Sequence, residues 1–257
     1  MRYFKLFKLL KHFKLLKPFK LLKPLKPLSR WAKLRAHVFI RYVKDCCGKE
    51  KFSRRKSVPD EFPHQMQVTQ PFTASATVEQ KKQNLRLAAQ RIRRHTILPG
   101  EVFSFWRAVG NPNTSEFAAS RSIRGGELML ERGGGLCQAS GIIYHLSLIA
   151  GLEILERYNH SKDLYTEKTR FCPLGSDATV AYGYRDLRVK NTTSTPLYFD
   201  LQVCDDHFTA LLCSEAPIVA HDIRFDRKEK PGNILEAVTT DLTTGQILQT
   251  STYERLD

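Results

Sequence analysis

Cys137 follows three consecutive glycines in the stretch ERGGGLCQASG, which covers residues 131–141. A helical pattern begins at Leu136, with a buried face predicted at Ile142, Ile143, Leu146, Ile149 and Ala150. The cysteine therefore falls in the first helical turn, where free backbone N–H groups carry a partial positive charge. That charge favours the thiolate and lowers the pKa of a thiol. Cys137 is accordingly a candidate nucleophile.

The glycine run has a chemical and a structural interpretation. Gly133, Gly134 and Gly135 permit backbone conformations that are closed to other residues, and their N–H groups could receive an oxyanion or a carboxylate. Gln138, beside the cysteine, could help to polarise a substrate carbonyl. These four residues are candidates for substrate binding. In the structural alternative, Cys137 is a small buried hydrophobe and the glycine turn binds nothing.

A cysteine nucleophile needs a base and a group that orients the base. His145 lies eight residues further along the same helix, too far away at 1.5 Å per residue. His160 ends a β-like run, and aspartates follow it, which is the chain order of papain-like and transglutaminase-like thiol enzymes. In that chemistry the imidazole removes the thiol proton and a carboxylate or amide orients the ring. We predict Cys137 as nucleophile, His160 as base and Asp177 or Asp186 as the orienting group.

Each of these residues also has an ordinary structural interpretation, because a chain of this size contains many Cys, His, Asp triples. Asp177 could cap a strand or turn, Asp186 could form a surface ion pair with a neighbouring arginine, and His160 could be a loop residue. No metal centre is predicted, since His145, His160 and Asp163 lack a compact ligand spacing. No cofactor is predicted either.

The remaining pattern predicts an α+β fold, with an antiparallel sheet packed against helices in one main domain. A helix is predicted to begin at Thr77, with Gln80 completing a capping box. A short strand is expected around Val102, and a hairpin is expected to join residues 187–190 to residues 197–203. Further strands are predicted at 207–213 and, around a Thr-Gly turn, near the C-terminus.

The excess positive charge is confined to the N-terminal part of the chain. Residues 1–57 hold 19 Lys+Arg against 2 Asp+Glu, so residues 58–257 hold 22 against 24. The first 28 residues repeat FKLLKP, with lysine at every third position from Lys5 to Lys26. Such a cationic, partly apolar strip suits an anionic membrane surface. The alternative is a low-complexity expansion without a selected role.

Within residues 30–44 the apolar positions Trp31, Leu34, Val38 and Ile40 or Tyr42 recur with roughly helical spacing among basic residues. This pattern predicts an interfacial helix or an outer helix packed on the body. The chain is thus expected to divide into a basic tail at 1–57, a linker at 58–77, the main domain at 78–215 and a C-terminal hairpin extension at 216–257.

The expected location is cytoplasmic, at the inner membrane surface through residues 2–44. No apolar run approaches the roughly 20 residues of a membrane span, and no signal-peptide pattern is visible. Nucleic acid is an alternative partner for the basic segment, but its aromatic and basic residues form no known binding motif.

Three segments together resemble the signature of the VanW family, named for an accessory protein of a vancomycin-resistance cluster. They are LPGEVFSFWRAVG at 98–110, GGGLCQASGIIYHLSLIAGLEILERYNHS at 133–161 and GSDATVAYGYRDLRVKNTT at 175–193. The resemblance covers roughly residues 78–215, and Gly141 is a small departure from the usual pattern. It implies a link to bacterial cell-wall maintenance or glycopeptide resistance, and it implies that the three segments form one functional unit.

Two functions follow as expectations. The first is a cysteine-dependent hydrolase or acyltransferase acting on peptide amide bonds, with peptidoglycan peptides or their precursors as the implied substrates. The second is a non-catalytic binding or accessory module for cell-wall components or for a partner protein.

Overall fold

The structure is a computed structural model that describes residues 29–55, 62–73, 75–124, 127–163, 165, 170 and 172–255. The lysine repeat of residues 1–28 lies outside these described residues. The helices of the described part are α1 (Arg30–Cys47), α2 (Val78–Ile92), α3 (Phe105–Val109) and α4 (Leu136–Ile149). The strands are β1 (Lys51–Phe52), β2 (Arg54–Arg55), β3 (His64–Pro71), β4 (His95–Thr96), β5 (Glu101–Ser104), β6 (Ala119–Arg124), β7 (Glu127–Arg132), β8 (Glu153–Glu156), β9 (Lys162–Asp163), β10 (Arg188–Lys190), β11 (Leu197–Val203), β12 (His207–Ser214), β13 (Ile223–Lys230), β14 (Ile234–Asp241) and β15 (Gln246–Arg255).

In the described part of the chain the strands form three sheets and two separate strand pairs, β2-β4 and β6-β7. The first sheet has the order β1-β5-β10-β8, and β10 runs antiparallel to both of its neighbours. The second has the order β11-β12-β3 and is antiparallel throughout. The third has the order β13-β14-β15-β9, in which only β9 is parallel to its neighbour. With the helices, this arrangement confirms the α+β class.

Helices α2 and α4 pack on the three-stranded sheet and form the main core with it. On α2 the predicted apolar stripe is buried, with Leu85, Ala88 and Ile92 fully covered. On α4 the predicted face is buried at Ile142, Ile143 and Leu146, whereas Ile149 is only half-buried. Burying one Leu, Ile or Phe side chain stabilises the fold by roughly 1.5–3 kcal/mol. Since α4 buries several such side chains against the sheet, this packing holds the helix, and with it Cys137, in a defined position.

Two local predictions about strands were wrong. Residues 187–190 and 197–203 do not form a hairpin, because β10 pairs with β5 and β8 whereas β11 pairs with β12. The buried amide of Asn191 donates to the carbonyls of Ile97 and Thr195, and these bonds turn the chain from one sheet to the next. In addition, the segment 58–77 that we expected to be a linker contains β3, which pairs with β12 along its whole length.

The predicted capping box at the start of α2 is also absent. Thr77 is the N-cap residue, but its side chain makes no capping bond to the helix. Its hydroxyl instead accepts the backbone N–H of Arg121 at 3.1 Å. The contact ties the start of α2 to β6 and so to the loop that precedes α4.

The segment 30–44 lies within α1, which packs against the body as the outer-helix interpretation expects. Leu34 and Val38 lie against Gly183, where a Cβ would be only 2.8 Å from the Leu34 side chain. Asp45 forms an ion pair with Arg188 at 2.8 Å. None of the helices in the described ranges combines the length and apolar character needed to cross a membrane.

Candidate functional site

Cys137 occupies the first turn of α4, as predicted. Gly135 is the N-cap residue, with φ +94°, and Gly133 also has a positive φ of +76°. Both values lie in the left-handed region, which glycine enters without the strain of a side chain. The loop is held from below by the buried side chain of Asn84, which donates to the Gly134 carbonyl at 3.0 Å.

The middle and last glycines are required by close packing. A Cβ on Gly134 would lie 2.6 Å from the Ser120 carbonyl oxygen, and one on Gly135 would lie 2.5 Å from Cγ of Lys81. Three consecutive glycines therefore let the chain pass between β6 and α2 and deliver Cys137 to its position. Close packing of the backbone therefore accounts for the glycine run without any chemical role of the glycines.

The loop does not present its glycine N–H groups as an anion nest, which corrects the expectation for Gly133 and Gly134. The N–H of Gly133 donates to the Ala118 carbonyl and that of Gly134 donates to the Glu131 carbonyl, so both are consumed by the β6-β7 hairpin. The N–H of Cys137 has no backbone acceptor in the described part of the chain. It is the better oxyanion donor because it sits at the helix start beside the thiol.

Gln138 has a buried amide whose oxygen and nitrogen have no hydrogen-bond partner among the described residues. The residue lines the same groove as the thiol. A buried amide without partners costs free energy, and it gains most from a ligand that brings both a donor and an acceptor. A peptide amide carries one of each, so Gln138 is suited to bind one.

His160 and Asp177 form a closely bonded pair. Nδ1 of His160 lies 2.6 Å from Oδ2 of Asp177, and the backbone N–H of His160 donates to the same oxygen at 2.8 Å. Since Asp177 occupies Nδ1, the nitrogen left for the thiol is Nε2. The carboxylate therefore sets both the orientation of the ring and the position of the backbone that carries it.

Helix α4 brings this pair to the cysteine. The hydroxyl of Ser140 donates to the Ala178 carbonyl at 2.6 Å. At Gly141, one turn after the cysteine, the nearest atoms to an added Cβ would belong to the backbone of Ser176, Asp177 and Ala178. The 176–178 segment therefore lies on the helix at Gly141, where an added Cβ would still be 3.4 Å from its nearest atom.

The carboxylate of Asp177 is also held by two residues that we did not predict. Arg157 donates to Oδ1 of Asp177 at 3.0 Å, and the hydroxyl of Tyr253 donates to the same oxygen. Arg157 also donates to the backbone carbonyls of Gly175 and Asp177. The C-terminal extension thus reaches the site, because its strand β15 supplies Tyr253 to this network.

The thiol of Cys137 lies 3.6 Å from the Thr179 hydroxyl and interacts with the His160 side chain. Burial alone would raise the pKa of this thiol. The hydrogen bond and charge of His160, with smaller contributions from Val180 and Thr179, outweigh burial and lower the pKa below its ordinary value. The environment therefore favours a thiolate.

The pKa values of His160 and Asp177 are shifted towards the charged forms of both residues. Burial opposes the charge on His160, but hydrogen bonds to Asp177 and Cys137 raise the pKa of the imidazole to about 10. Burial likewise opposes the Asp177 charge, but His160, Arg157 and Tyr253 lower the pKa of that carboxyl to about 2. The directions of these three pKa shifts together favour a thiolate beside an imidazolium and a carboxylate.

Asp186, the other predicted orienting group, serves a different part of the fold. Its carboxylate accepts from the Ser104 hydroxyl at 2.6 Å and from the backbone N–H of Trp106 at 3.1 Å, which caps α3. It forms an ion pair with Arg188 at 3.2 Å, as the structural interpretation expected, and a second with Arg41 at 3.7 Å, although Asp186 is buried and not on the surface. His160 is held by Asp177 instead.

Cys137, Gln138, His160 and Asp177 open into a groove with a volume of about 1680 Å³. One wall is formed by α1, and the aromatic ring of Trp106 and the glycine loop also contribute. A groove of this volume exceeds what a drug-sized ligand fills and could hold a peptide segment. The half-buried Cys137 lies in its lining.

The fold and the site define an α+β protein with a Cys-His-Asp arrangement at the start of a buried helix. The model of the family described as "VanW like protein" matches residues 80–213, which is 134 of the 257 residues. The chain belongs to the VanW family.

Two curated relatives are similar to this chain. The protein YoaR of Bacillus subtilis (strain 168) is 35% identical over 118 residues, covering 46% of this chain and 37% of YoaR. The vancomycin B-type resistance protein VanW of Enterococcus faecalis (strain ATCC 700802 / V583) is 35% identical over 116 residues, covering 45% of this chain and 42% of that protein. The match therefore spans about two fifths of the length of these relatives. No solved structure matches the chain.

Proposed function

We propose that this protein is a cysteine-dependent acyltransferase or hydrolase that acts on peptide amide bonds. The observation that carries the proposal is the bonded pair of His160 and Asp177 in the same groove as Cys137, in which the carboxylate holds Nδ1 of the imidazole and leaves Nε2 for the thiol. The lowered pKa of Cys137 supports it, because thiolate is the nucleophilic form.

The geometry supports a two-step reaction. The Cys137 thiolate attacks the carbonyl carbon of the amide, and the oxyanion is received by the Cys137 N–H and the Gln138 amide. The C–N bond then breaks, and His160 gives its Nε2 proton to the departing amine, which leaves a thioester. A second nucleophile, water or an amine, loses a proton to neutral His160 and attacks the thioester. The thiolate and the imidazolium are regenerated, and the product is an acid or a new amide.

The substrate class is proposed from the relatives. One of them is named as a vancomycin resistance protein, and the resemblance to the family implies a link to cell-wall maintenance. We therefore propose the peptides of peptidoglycan or of its precursors as substrates. The volume of the groove, about 1680 Å³, supports a ligand larger than a drug-sized molecule.

A mixture of short acetylated peptides, incubated with the wild type and with Cys137→Ser, tests the proposal. Denaturing mass spectrometry would detect the peptide acyl group on the tryptic fragment that contains Cys137, and product analysis would detect the released amine. We expect both signals in the wild type and neither in Cys137→Ser. Intact peptides and an unmodified thiol across chemically varied mixtures would contradict the proposal.

A non-catalytic accessory role is the second candidate, and the unpartnered amide of Gln138 favours it because the groove could hold a peptide without cleaving it. The two candidates differ in their response to Cys137→Ser. An accessory protein would keep both peptide binding and any resistance phenotype in this variant. An enzyme would keep binding and lose the phenotype.

We further propose that the N-terminal part places the groove at an anionic membrane surface. On α1 the side chains of Trp31 and Phe39 are 63% and 66% exposed, and the helix also carries Arg30 and Lys33. Exposed aromatic residues next to cations suit the boundary between headgroups and acyl chains. The lysine repeat precedes this helix directly in the sequence.

A further inference from the structure

Two cations of the groove have no acidic partner in the described part of the chain. Lys81 on α2 and Arg121 on β6 both line the groove, and neither forms an ion pair with a described Asp or Glu. The neighbour Lys82 shows the contrast, because its ammonium lies 2.7 Å from the carboxylate of Glu79. Lys81 thus contributes a positive charge to the groove that its own helix does not neutralise.

The fold holds these two cations together. The hydroxyl of Thr77 accepts the backbone N–H of Arg121, which fixes the strand one helical turn before Lys81. Burial and then the charge of Arg121 lower the pKa of Lys81 to about 8. Two like charges that face the same groove repel each other, and an anion bound between them would relieve the repulsion.

The pair is close to the proposed nucleophile. The Lys81 side chain lies directly on the glycine loop, where its Cγ would meet a Cβ of Gly135 at 2.5 Å. Gly135 is two residues before Cys137, so a group bound at Lys81 is within the length of a short peptide from the thiol. The ammonium also lies over the ring of Phe72, 5.5 Å from its centroid, which limits where the side chain can go.

The groove as a whole is cationic. Its lining contains eight Lys and Arg residues against three Asp and Glu residues. Of the three acids, Asp177 is bonded to His160 and Arg157, and Asp163 is bonded to Arg170. The third acid is Glu131, so cations outnumber acids in the lining and the charge presented to a ligand is positive.

We infer that Lys81 and Arg121 form a binding subsite for a carboxylate of the substrate, so that the protein selects peptides whose reactive amide lies close to a free carboxyl end. This inference rests on the proposed function and names the substrate class for the same groove. Arg121 can bind a carboxylate through two parallel N–H bonds, and Lys81 adds a point charge. The nearby Gln138 amide is then placed to hold the peptide group next to that carboxylate.

Binding can be measured without catalysis in a Cys137→Ala background. The probes are acetyl-dialanine as the free acid and as the C-terminal amide, each in the L,L and D,D forms, followed by isothermal titration calorimetry and by NMR of the peptide methyl groups. Lys81→Met and Arg121→Gln are introduced singly and together. Lys162→Met is the matched control, because Lys162 also lines the groove but lies near Glu254.

We expect at least one free acid to bind about tenfold or more tightly than its amide, as a charge-assisted contact predicts. Each substitution should reduce that ratio, the double variant should bring it close to one, and Lys162→Met should leave it unchanged. Equal binding of acid and amide, or binding of neither at the solubility limit, overturns the inference. If acid and amide bind equally but the wild type still forms a thioester at Cys137, the proposed function stands and only the subsite is wrong. If the acid is preferred but no thioester forms, the subsite stands and the proposed function is wrong.

Discussion

A single oxygen of Asp177 binds His160 twice, with Oδ2 at 2.6 Å from the ring Nδ1 and at 2.8 Å from the backbone nitrogen. The two contacts fix the ring plane relative to its own backbone. Because α4 lies on the segment that carries Asp177, the imidazole is fixed relative to Cys137 as well. The chemistry of the thiol should therefore depend on the carboxylate even though the two groups act through the ring.

The first prediction concerns the acidity of the thiol. Removal of the imidazole in His160→Ala leaves burial as the dominant influence, so the pKa of Cys137 should rise above the ordinary value of a cysteine. At pH 7 the alkylation rate by iodoacetamide should fall by about tenfold or more, since one pKa unit is a factor of ten in thiolate. Peptide mass spectrometry over a pH series measures this.

Cys172 provides an internal control for that experiment. It lines the same groove, but burial raises the pKa of its thiol, and His160 is not among its partners. Its alkylation rate should be slow in both proteins and insensitive to His160→Ala. If Cys137 and Cys172 react alike at neutral pH in the wild type, the thiolate assignment is wrong.

The second prediction concerns stability in acid. The pKa of Asp177 is lowered from 3.8 to about 2 in the folded protein, chiefly by His160 and Arg157 acting against burial. The stability that the ionised Asp177 carboxylate contributes is therefore fully present above pH 3.8, and it is lost as the pH falls through about 2. The shift corresponds to about 2 kcal/mol of unfolding free energy. Urea titrations of the wild type and Asp177→Asn should differ by about this amount at pH 6 and converge towards pH 2.

Asp200 supplies the comparison for that variant. It pairs with Arg93 at 3.7 Å, a longer contact than that of Asp177 with Arg157, and the Arg93 side chain is 36% exposed. Asp200→Asn should change the unfolding free energy by less than about 1 kcal/mol, as partly exposed ion pairs do. Parallel acid profiles for Asp177→Asn and the wild type would show that the Asp177 network contributes no pH-dependent stability.

The elements nearest the cysteine were predictable because their signals are local. A glycine run followed by a helical period indicates where Cys137 sits, whatever the rest of the fold does. The choice between Asp177 and Asp186 was not predictable, because chain order carries no distances. The role of Tyr253 was equally hidden, since a strand 76 residues beyond Asp177 reaches it only through the register of the third sheet.

The strand in the expected linker illustrates the opposite case, in which a signal was present and weak. Residues 64–71 alternate between partly buried and exposed positions, as a half-covered strand does. The inward residues include glutamine and histidine as well as Met66 and Val68. The polar composition therefore resembles a loop, and only pairing with β12 gives the segment its structure.

The third prediction separates the packing of the glycine loop from general helix effects. In Gly134→Ala the new Cβ would lie 2.6 and 2.7 Å from the carbonyl oxygens of Ser120 and Arg121, which are backbone atoms and cannot move cheaply. We expect a loss of roughly 1–3 kcal/mol of stability, as overpacking produces, together with slower alkylation of Cys137. Thermal unfolding and the alkylation assay measure the two effects.

Gly141→Ala is the matched control for the loop variant. This glycine lies inside α4, its backbone is ordinary helix, and the nearest atom to an added Cβ would be 3.4 Å away, an ordinary contact. The helix should gain up to about 1 kcal/mol from the lower backbone entropy of alanine. A stability loss as large as that of Gly134→Ala would contradict the packing account of both positions.

The fourth prediction concerns membrane attachment. Co-sedimentation with vesicles of phosphatidylglycerol and phosphatidylcholine should retain the full chain at low salt, and the bound fraction should fall steeply as salt is raised. Trp31→Ala combined with Phe39→Ala should weaken binding further, because the exposed rings would no longer insert. Tyr158→Ala, which removes an exposed ring that contacts Arg185 outside α1, should leave it unchanged. Equal binding to purely zwitterionic vesicles would argue against electrostatic recruitment.

The fifth prediction joins the C-terminal extension to the site. The Tyr253 hydroxyl donates to Oδ1 of Asp177, while burial and the adjacent carboxylate raise the pKa of the phenol, so it stays a donor at all working pH values. In Tyr253→Phe the carboxylate loses one charge-assisted bond, worth roughly 1.5–3 kcal/mol. The pKa of Asp177 should rise, because a less stabilised carboxylate accepts a proton more readily. The pKa of His160 should fall, because it is raised in part by the Asp177 carboxylate. The alkylation profile of Cys137 should then lose reactivity in acid at a higher pH than in the wild type.

Tyr198→Phe controls for the loss of a buried phenol, because Tyr198 packs against Phe62 away from the site. This variant should keep the wild-type alkylation profile of Cys137, since its hydroxyl does not contact Asp177. An alkylation profile that is unchanged in Tyr253→Phe, with the stability lowered as in Tyr198→Phe, would assign Tyr253 to the fold alone. A profile shifted only in Tyr253→Phe would instead show that β15 helps to set the protonation state of the site.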